Sequence, residues 1–269
     1  MSSRGDHSSS TEAVRGFRLY LQGFSVALGF MTRIGPARIV SPEAFAGTLV
    51  WFPIVGLVLG LLATFAVFAL GGFVDGAVDS SRATAGALLY VGLSAWLTRG
   101  LHWDGLSDVA DAWGSGAQGE KFWQIMKDSR CGAFGVLGLV FFAGGQLLVV
   151  RESLQLGAWG ALVFAPIAGR VALVCLAWAG RSLSRPGLGQ SFLAGATPFV
   201  ALSCLLQATV AGFLLMRWEA CVFVLVLSTV VVGGLVRLGR RNGGVNGDLL
   251  GASIVCSETA VFFAVCVLY

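Results

Sequence analysis

Charge is scarce in this chain. Only 12% of its 269 residues are Asp, Glu, Lys or Arg, and only two are histidines. A soluble domain of this length carries about 25% charged residues, so the composition argues against a soluble α/β barrel. Hydrophobic residues instead make up 56% of the chain, and the mean hydropathy is +0.82. These values indicate a polytopic membrane protein.

Several other features are absent from the sequence. Its six cysteines include no CxxC pair and no nearby pair of histidines, which argues against a zinc site. No basic patch with interleaved aromatic residues occurs, so nucleic acid is not an expected partner. Residues 1–14 are polar and lack the apolar region of a signal peptide. We expect this tail to be disordered and residues 15–269 to form a single membrane-embedded catalytic domain.

Seven apolar segments come close to or reach the length that crosses a bilayer, roughly 17–25 residues. They are residues 47–73, 84–98, 132–150, 157–180, 197–216, 219–236 and 249–269. Residues 17–34 carry an apolar stripe at helical spacing and fit an interfacial or short membrane helix. The sequence therefore predicts an all-α fold, a polytopic integral membrane bundle of about seven transmembrane helices, within a range of six to eight.

The distribution of Lys and Arg predicts the orientation of these spans. With a cytoplasmic N-terminus, 14 basic residues fall on the cytoplasmic side and 3 on the opposite side, while Arg170 lies inside a span. Such an asymmetry is typical of membrane proteins, whose cytoplasmic loops are enriched in Lys and Arg. We therefore expect a multi-pass protein of the cell inner membrane whose charged loops face the cytoplasm.

The segment from Arg99 to Arg130 gathers five carboxylates and two lysines between apolar segments. Charge near a bilayer is costly, so its concentration in one loop indicates an active site. Asp104, Asp108 and Asp111 are spaced i, i+4, i+7, which places all three carboxylates on one face of a helix. Such oxygen ligands favour Mg²⁺, Mn²⁺ or Ca²⁺. The alternative is a solvated helix face beside the membrane.

Neighbouring residues suit phosphate chemistry. The Lys-Asp-Ser-Arg sequence of residues 127–130 supplies two cations, a carboxylate and a hydroxyl. Positive-inside anchoring would explain its two cations, but not the intervening carboxylate. Gly105 would let a phosphate approach the backbone closely. His102 fits three alternative roles: general base, hydrogen-bond donor to phosphate, or interfacial histidine.

Two further elements lie outside this loop. The glycine-rich residues 242–247 are predicted to form an anion-binding loop, with Asp248 capping the next span. Glu258 lies inside that span, and an ionisable residue within a membrane is a functional candidate. Arg170 needs a partner for its buried charge, for which Asp248, Glu258 and a phosphate are the alternatives.

Three motifs together resemble the cobalamin synthase family, the adenosylcobinamide-GDP ribazoletransferases. Residues 101–111, LHWDGLSDVAD, match the HxDGLxDxxD pattern of that family, and residues 124–135 match IM(K/R)DSRxGxxG. Residues 243–252, GGVNGDLLGA, contain the third motif, and the resemblance runs from residue 30 onward. Three positions depart from the family: Trp103 replaces Leu, Asn246 replaces Thr, and Val255 replaces an acidic residue whose role would fall to Glu258.

The resemblance implies a membrane phosphotransferase that requires Mg²⁺. It would join adenosylcobinamide-GDP to α-ribazole, or to α-ribazole 5′-phosphate, in nucleotide-loop assembly of cobalamin biosynthesis, and release GMP. The combined hypothesis assigns catalysis to His102, Asp104, Asp108, Lys127, Asp128 and Arg130. It assigns substrate binding to Gly105, Ser129, Arg170, Arg241, Asn246, Asp248 and Glu258. It assigns the metal to Asp104, Asp108, Asp111 and Asp128. A homo-oligomer or a complex with other enzymes of the pathway is left open.

Two other functions are alternatives at this point. The first is another membrane phosphotransferase of the CDP-alcohol type, although the DGxxAR sequence of those enzymes is absent because Gly105 is followed by Leu106, Ser107 and Asp108. The second is a secondary transporter that uses Arg170 and Glu258. A transporter of that kind often contains inverted repeats, and no repeat is evident in this sequence. An enzyme is therefore the favoured prediction.

Overall fold

A computed structural model describes residues 22–36, 45–71, 79–185 and 187–269. These residues form eleven α-helices: α1 (Gln22–Met31), α2 (Phe52–Gly71), α3 (Ser80–Leu97), α4 (Leu101–Gly114), α5 (Glu120–Met126), α6 (Ala133–Gln155), α7 (Trp159–Ala179), α8 (Leu188–Gly195), α9 (Pro198–Leu215), α10 (Trp218–Asn242) and α11 (Gly247–Leu268). The predicted polar tail, residues 1–14, lies outside the described residues. Helix α1 accounts for the predicted short apolar helix within residues 17–34.

Six stretches of helix are long and apolar enough to cross a bilayer. They are Leu49–Ala69, Ala133–Gln155, Trp159–Ala179, Pro198–Leu215, Trp218–Asn242 and Gly247–Leu268. Each overlaps one of the seven predicted segments, so the predicted polytopic all-α bundle is confirmed. Long apolar side chains on α6, α9 and α10 face outward, as they do where a helix contacts lipid.

The seventh predicted segment, residues 84–98, forms most of α3, which is not among those six stretches. Its polar first turn explains the difference, because Ser80, Ser81 and Arg82 occupy it. At that end Arg151, near the end of α6, donates a hydrogen bond of 2.6 Å to Ser80 Oγ. At the other end Arg33 donates one of 2.7 Å to the carbonyl of Trp96. Helix α3 therefore runs antiparallel to α6 and has the direction of a seventh span.

Helix α7 is the central helix of the bundle. Its residues from 161 to 174 are all buried, and α2, α9, α10 and α11 pack around it. The contact with α2 depends on Gly56 and Gly60, because a Cβ on Gly56 would lie only 2.5 Å from the carbonyl oxygen of Pro166 and a Cβ on Gly60 would collide with Val163. The two glycines thus let the backbones of α2 and α7 approach each other closely.

The connections α3–α6, α7–α9 and α10–α11 meet at one end of the bundle, which we call the polar end (residues 98–132, 180–197 and 243–246). The backbone N–H of Gly119 and the indole N–H of Trp123 donate to the side chain and the carbonyl of Asn242, at 2.9 and 2.7 Å. Ser184 and Val245 form an isolated parallel β-bridge between two of the connections. These contacts hold α5 against the end of α10, and the segment that precedes α8 against the connection from α10 to α11.

Candidate active site

Helix α4 carries the aspartate motif across the polar end. It begins directly after Arg99 and Gly100, whose positive φ angles of 58° and 70° reverse the chain as it leaves α3. The structure confirms that the three aspartates lie on one helix. Asp104 is exposed, Asp108 is half-buried and Asp111 is buried, so the face that they share runs from solvent into the protein.

A fourth carboxylate, Asp248 at the start of α11, joins this group. Burial and the charges of Asp104, Asp248 and Asp111 raise the pKa of Asp108 to about 7. Helices α4 and α11 meet closely at Gly105, where a Cβ would lie 2.8 Å from the carbonyl oxygen of Asp248. Gly105 therefore permits a close approach to a neighbouring helix, and its contact with a phosphate stays a prediction.

Asp111 joins the first two motifs. Its Oδ2 and Oδ1 atoms accept hydrogen bonds from the backbone N–H groups of Gly132 and Gly135, both at 2.7 Å. These are the N-cap and the first turn of α6, so Asp111 caps that helix from outside. A Cβ on either glycine would collide with its carboxylate. The structure thus gives Asp111 a structural role that differs from the predicted role as a metal ligand.

The loop of residues 127–130 is exposed and internally paired. Arg130 donates from Nε and Nη2 to the two carboxylate oxygens of Asp128, at 3.0 and 2.8 Å. The hydrogen bonds from Arg130 lower the pKa of Asp128 to about 2. Lys127 and Ser129 are also exposed. Asp128 is therefore paired with Arg130 rather than placed among the carboxylates that raise the pKa of Asp108.

The predicted four-carboxylate metal set is consequently not assembled. Among the described residues, no three His, Cys, Asp or Glu side chains form a ready group of metal ligands. Two crowded carboxylates, Asp104 and Asp108, still fit Mg²⁺, which typically binds one or two protein carboxylates together with substrate phosphates and water. Burial raises the pKa of Asp108 and repulsion from the neighbouring carboxylates adds to this effect; a bound cation would relieve that repulsion.

Arg170 and Glu258 form an ion pair inside the bundle. Arg170 is only 1% exposed, and its Nη1 donates to Glu258 Oε1 and to the carbonyl of Pro166. Of the three partners considered for Arg170, the structure shows Glu258. Burial gives the pair a structural role inside the bundle, and its role in substrate binding stays a prediction.

His102 connects this pair to the polar end. Its Nε2 lies 3.4 Å from Nη2 of Arg170, and burial together with the charge of Arg170 lowers its pKa well below the ordinary value. His102 is therefore neutral. A cavity of about 20 Å³ adjoins it, lined by Arg170, Glu258 and Val255 among others. Val255 thus lines the same cavity as Glu258.

A larger cavity of about 280 Å³ opens at the polar end between α1, α4, α7, α8 and the start of α11. Three predicted residues, His102, Asn246 and Asp248, line it. Arg185 also lines it and was missed by the sequence analysis, where it counted only as one of the basic residues on the cytoplasmic side. Nothing in its local sequence distinguishes it. Arg241, by contrast, is exposed in the last turn of α10 and does not line this cavity.

Asn246 organises the third motif. Its Oδ1 accepts a hydrogen bond of 3.2 Å from the backbone N–H of Leu249, and its Nδ2 donates to Asp248 Oδ2 at 2.6 Å. The N-cap of α11 is therefore Asn246, and the prediction that Asp248 caps this helix is wrong. Because Asp248 does not cap the helix, its carboxylate is available at the site. A hydrogen bond from Asn246 holds it between the cavity and the aspartates of α4.

Comparison with known proteins identifies relatives along nearly the whole chain. The sequence profile of a family described as cobalamin-5-phosphate synthase matches residues 23–266. An adenosylcobinamide-GDP ribazoletransferase of Nitratidesulfovibrio vulgaris strain DP4 is 43% identical over 252 residues, which cover 91% of this chain and 97% of the relative. Enzymes of the same name from Syntrophobacter fumaroxidans and Ectopseudomonas mendocina are 32% and 35% identical, over 91% and 89% of this chain and 98% and 96% of the relatives. No solved structure matches the chain.

Proposed function

Because the chain belongs to the cobalamin-5-phosphate synthase family, we propose that it is a membrane enzyme that joins adenosylcobinamide-GDP to α-ribazole or its 5′-phosphate. The reaction completes the nucleotide loop of cobalamin and releases GMP. One structural observation supports this function above the others. Asp104 and Asp108 stand beside Asp248, which lines a cavity large enough for part of a small-molecule substrate.

The proposed chemistry is a phosphoryl transfer. A hydroxyl of the ribazole sugar attacks the phosphorus on the cobinamide side of the pyrophosphate, and a new phosphorus–oxygen bond forms. The bond from that phosphorus to the oxygen bridging to GMP breaks, and GMP leaves with the electron pair. The hydroxyl proton passes to one of the carboxylates or to the neutral His102. These two remain alternatives for the general base.

Each group of residues has a distinct task in this proposal. Asp104 and Asp108 would hold Mg²⁺, which when bound neutralises charge on the pyrophosphate oxygens. Lys127 and Arg130 face solvent, where they can reach phosphate oxygens, and Ser129 lies between them. To bind the substrate, Arg130 would have to release Asp128. Breaking an exposed ion pair of this kind costs little free energy. Catalysis then rests on positioning and charge stabilisation.

The orientation in the membrane is part of the same proposal. The charged loops meet at the polar end, and the excess of Lys and Arg there favours a cytoplasmic location. With seven spans, Tyr269 at the end of α11 would lie on the opposite side. A periplasmic phosphatase reporter fused after Tyr269 should be active. Activity of a cytoplasmic reporter at that position would instead contradict the orientation.

The decisive assay uses the purified protein in lipid with adenosylcobinamide-GDP, α-ribazole 5′-phosphate, and either Mg²⁺ or EDTA. We expect metal-dependent release of GMP together with a cobalamin product, both followed by chromatography. A second set of reactions supplies a CDP-alcohol and a lipid alcohol. Release of CMP there, with no GMP from the cobinamide donor, would support the alternative phosphotransferase and overturn the proposed reaction.

A further inference from the structure

The larger cavity is lined by apolar side chains on one side and by polar groups on the other. Its apolar wall consists of Phe30, Met31, Leu101, Leu173, Phe192 and Leu250. Phe30 and Phe192 are in edge contact, with ring centroids 5.1 Å apart, and Phe192 also contacts Phe52. Most of these side chains are buried, so packed core residues of the bundle form this wall. At about 280 Å³, the cavity lies near the lower end of the range for small-molecule sites, about 300–1,000 Å³.

Polar groups occupy the other side of the cavity, and most of them already have partners. Asn246 uses its oxygen on Leu249 and its amide nitrogen on Asp248. His102 faces Arg170 through Nε2. The part of the lining that remains free to pack against an aromatic ring of a ligand is therefore apolar.

Arg185 stands where the cavity meets solvent. Its guanidinium lies over the ring of Trp123 at 4.4 Å, and its Nη2 donates to Glu120 Oε2 at 3.2 Å. Its backbone N–H donates to Val245, so the main chain is fixed as well. Glu120 is largely exposed, and an exposed ion pair exchanges readily. Arg185 thus presents a pre-oriented guanidinium of the kind that binds phosphate in bidentate fashion.

The reaction involves two aromatic bases, and they differ in chemistry. Guanine has an edge of hydrogen-bond donors and acceptors, whereas the dimethylbenzimidazole base of ribazole has an edge of two methyl groups. An apolar wall with few free polar groups suits the second base, since an unpaired polar edge is costly to bury. Asp248 lies both in the lining and near the aspartates of α4, so a sugar placed there would point toward the carboxylates.

We propose that this cavity is the acceptor site: its apolar wall holds the dimethylbenzimidazole base, and Arg185 binds the 5′-phosphate of α-ribazole 5′-phosphate. The inference rests on the proposed reaction and adds a specificity-determining residue, Arg185, to it. The unphosphorylated nucleoside would leave Arg185 paired with Glu120 alone.

The test measures KM and kcat for each substrate separately, in the full-length protein in lipid. Arg185→Gln should raise the KM for α-ribazole 5′-phosphate by about ten-fold or more, as expected from loss of one charge-assisted contact. The same change should leave the KM for α-ribazole and for adenosylcobinamide-GDP within about two-fold of wild type. Arg181→Gln is the matched control, because Arg181 is an exposed arginine on the same connection and does not line the cavity.

The apolar wall is tested with altered acceptors, which avoids any effect of mutation on folding. Removing the two methyl groups of the base one at a time should lower kcat/KM about four-fold each, the value of burying one such group. Phe192→Leu should reduce this discrimination.

The outcomes separate the two proposals. If the wild type releases no GMP, the proposed reaction fails and the acceptor site fails with it. If the wild type is active but Arg185→Gln raises the KM of the donor, or lowers activity equally with both acceptors, only the acceptor site is overturned. The same conclusion follows if the methyl groups have no effect on kcat/KM.

Discussion

Asp111 Oδ1 accepts a hydrogen bond of 2.7 Å from the backbone N–H of Gly135, which begins a different, membrane-spanning helix. The two residues belong to separate motifs in the sequence, and this contact makes them one structural unit. It places the aspartate helix α4 against the start of α6. The geometry of the active site therefore depends on a carboxylate that the sequence assigns to metal binding.

Asp111→Ala should destabilise the protein. It leaves the N–H groups of Gly132 and Gly135 without their acceptor, and an unsatisfied buried donor costs about 1–3 kcal/mol. Thermal unfolding in detergent would measure the loss. Asp128→Ala is the control, because Asp128 forms an exposed pair and its removal should leave the melting temperature unchanged. Equal melting temperatures for both variants would contradict the capping role of Asp111.

Gly135→Ala should lower the unfolding temperature and the turnover together. The added Cβ would collide with the Asp111 carboxylate and lie 2.6 Å from Ser107 Oγ. Overpacking of this kind typically costs about 1–3 kcal/mol. Gly144→Ala on the same helix is the matched control, since no heavy atom lies within 4 Å of its Cβ position. Similar behaviour of the two variants would show that α4 can shift without consequence.

Glu258→Ala should be strongly destabilising. The change leaves the guanidinium of Arg170 buried without its carboxylate, and breaking a buried pair in this way costs about 3–5 kcal/mol. Replacing both residues, with Arg170→Met and Glu258→Leu, should recover much of that loss because no charge remains to be buried. A double-mutant cycle by thermal unfolding measures the coupling. A coupling near zero would mean that the pair does not stabilise the fold.

Asp104→Asn and Asp108→Asn should each strongly lower turnover while the protein remains folded. Loss of a group that stabilises developing charge typically lowers kcat by about 10²–10³-fold. The assay is GMP release across a range of Mg²⁺ concentrations, with far-ultraviolet circular dichroism as the check on folding. Asp79→Asn, at the opposite end of α3, is the control and should keep full activity. Near-normal turnover in either variant would remove that carboxylate from the mechanism.

Asn246→Ala should cost about 1 kcal/mol through loss of the N-cap of α11. It should also lower turnover, because Asp248 loses the amide that orients it. Asn246→Thr keeps a capping side chain, because the Thr hydroxyl can accept the same hydrogen bond. This variant should retain the stability of the wild type in thermal unfolding. A loss as large as that of Ala would show that the cap is not the source of the effect.

The membrane spans could be predicted from the sequence because their information is local. Lipid contact requires a continuous apolar helix, and that requirement appears in any window of about 20 residues. Helix α3 was also predicted from its apolar residues 84–98, and its polar first turn is capped locally by Asp79. The aspartate helix was also predictable, since the 3.6-residue period places Asp104 and Asp108 on one face.

The partners of the charged residues could not be predicted in the same way. The sequence offered Arg170 three partners, and only the packing of α7 against α11 selects Glu258, 88 residues away. Arg185 carried no sequence signal, because its place beside the cavity comes from the hydrogen bond of its backbone N–H to Val245 and from the ring of Trp123.

The sequence by itself determined the membrane bundle, the family and the residue types of the site, since hydropathy, charge and motif spacing are properties of the chain. Tertiary structure alone decided which of those residues meet. Asp111 caps α6 and Asn246 caps α11. Asp104, Asp108 and Asp248 form the cluster of carboxylates at the site. The physical reason is that a carboxylate finds its partner through the packing of distant helices, and its own sequence neighbourhood does not encode that packing.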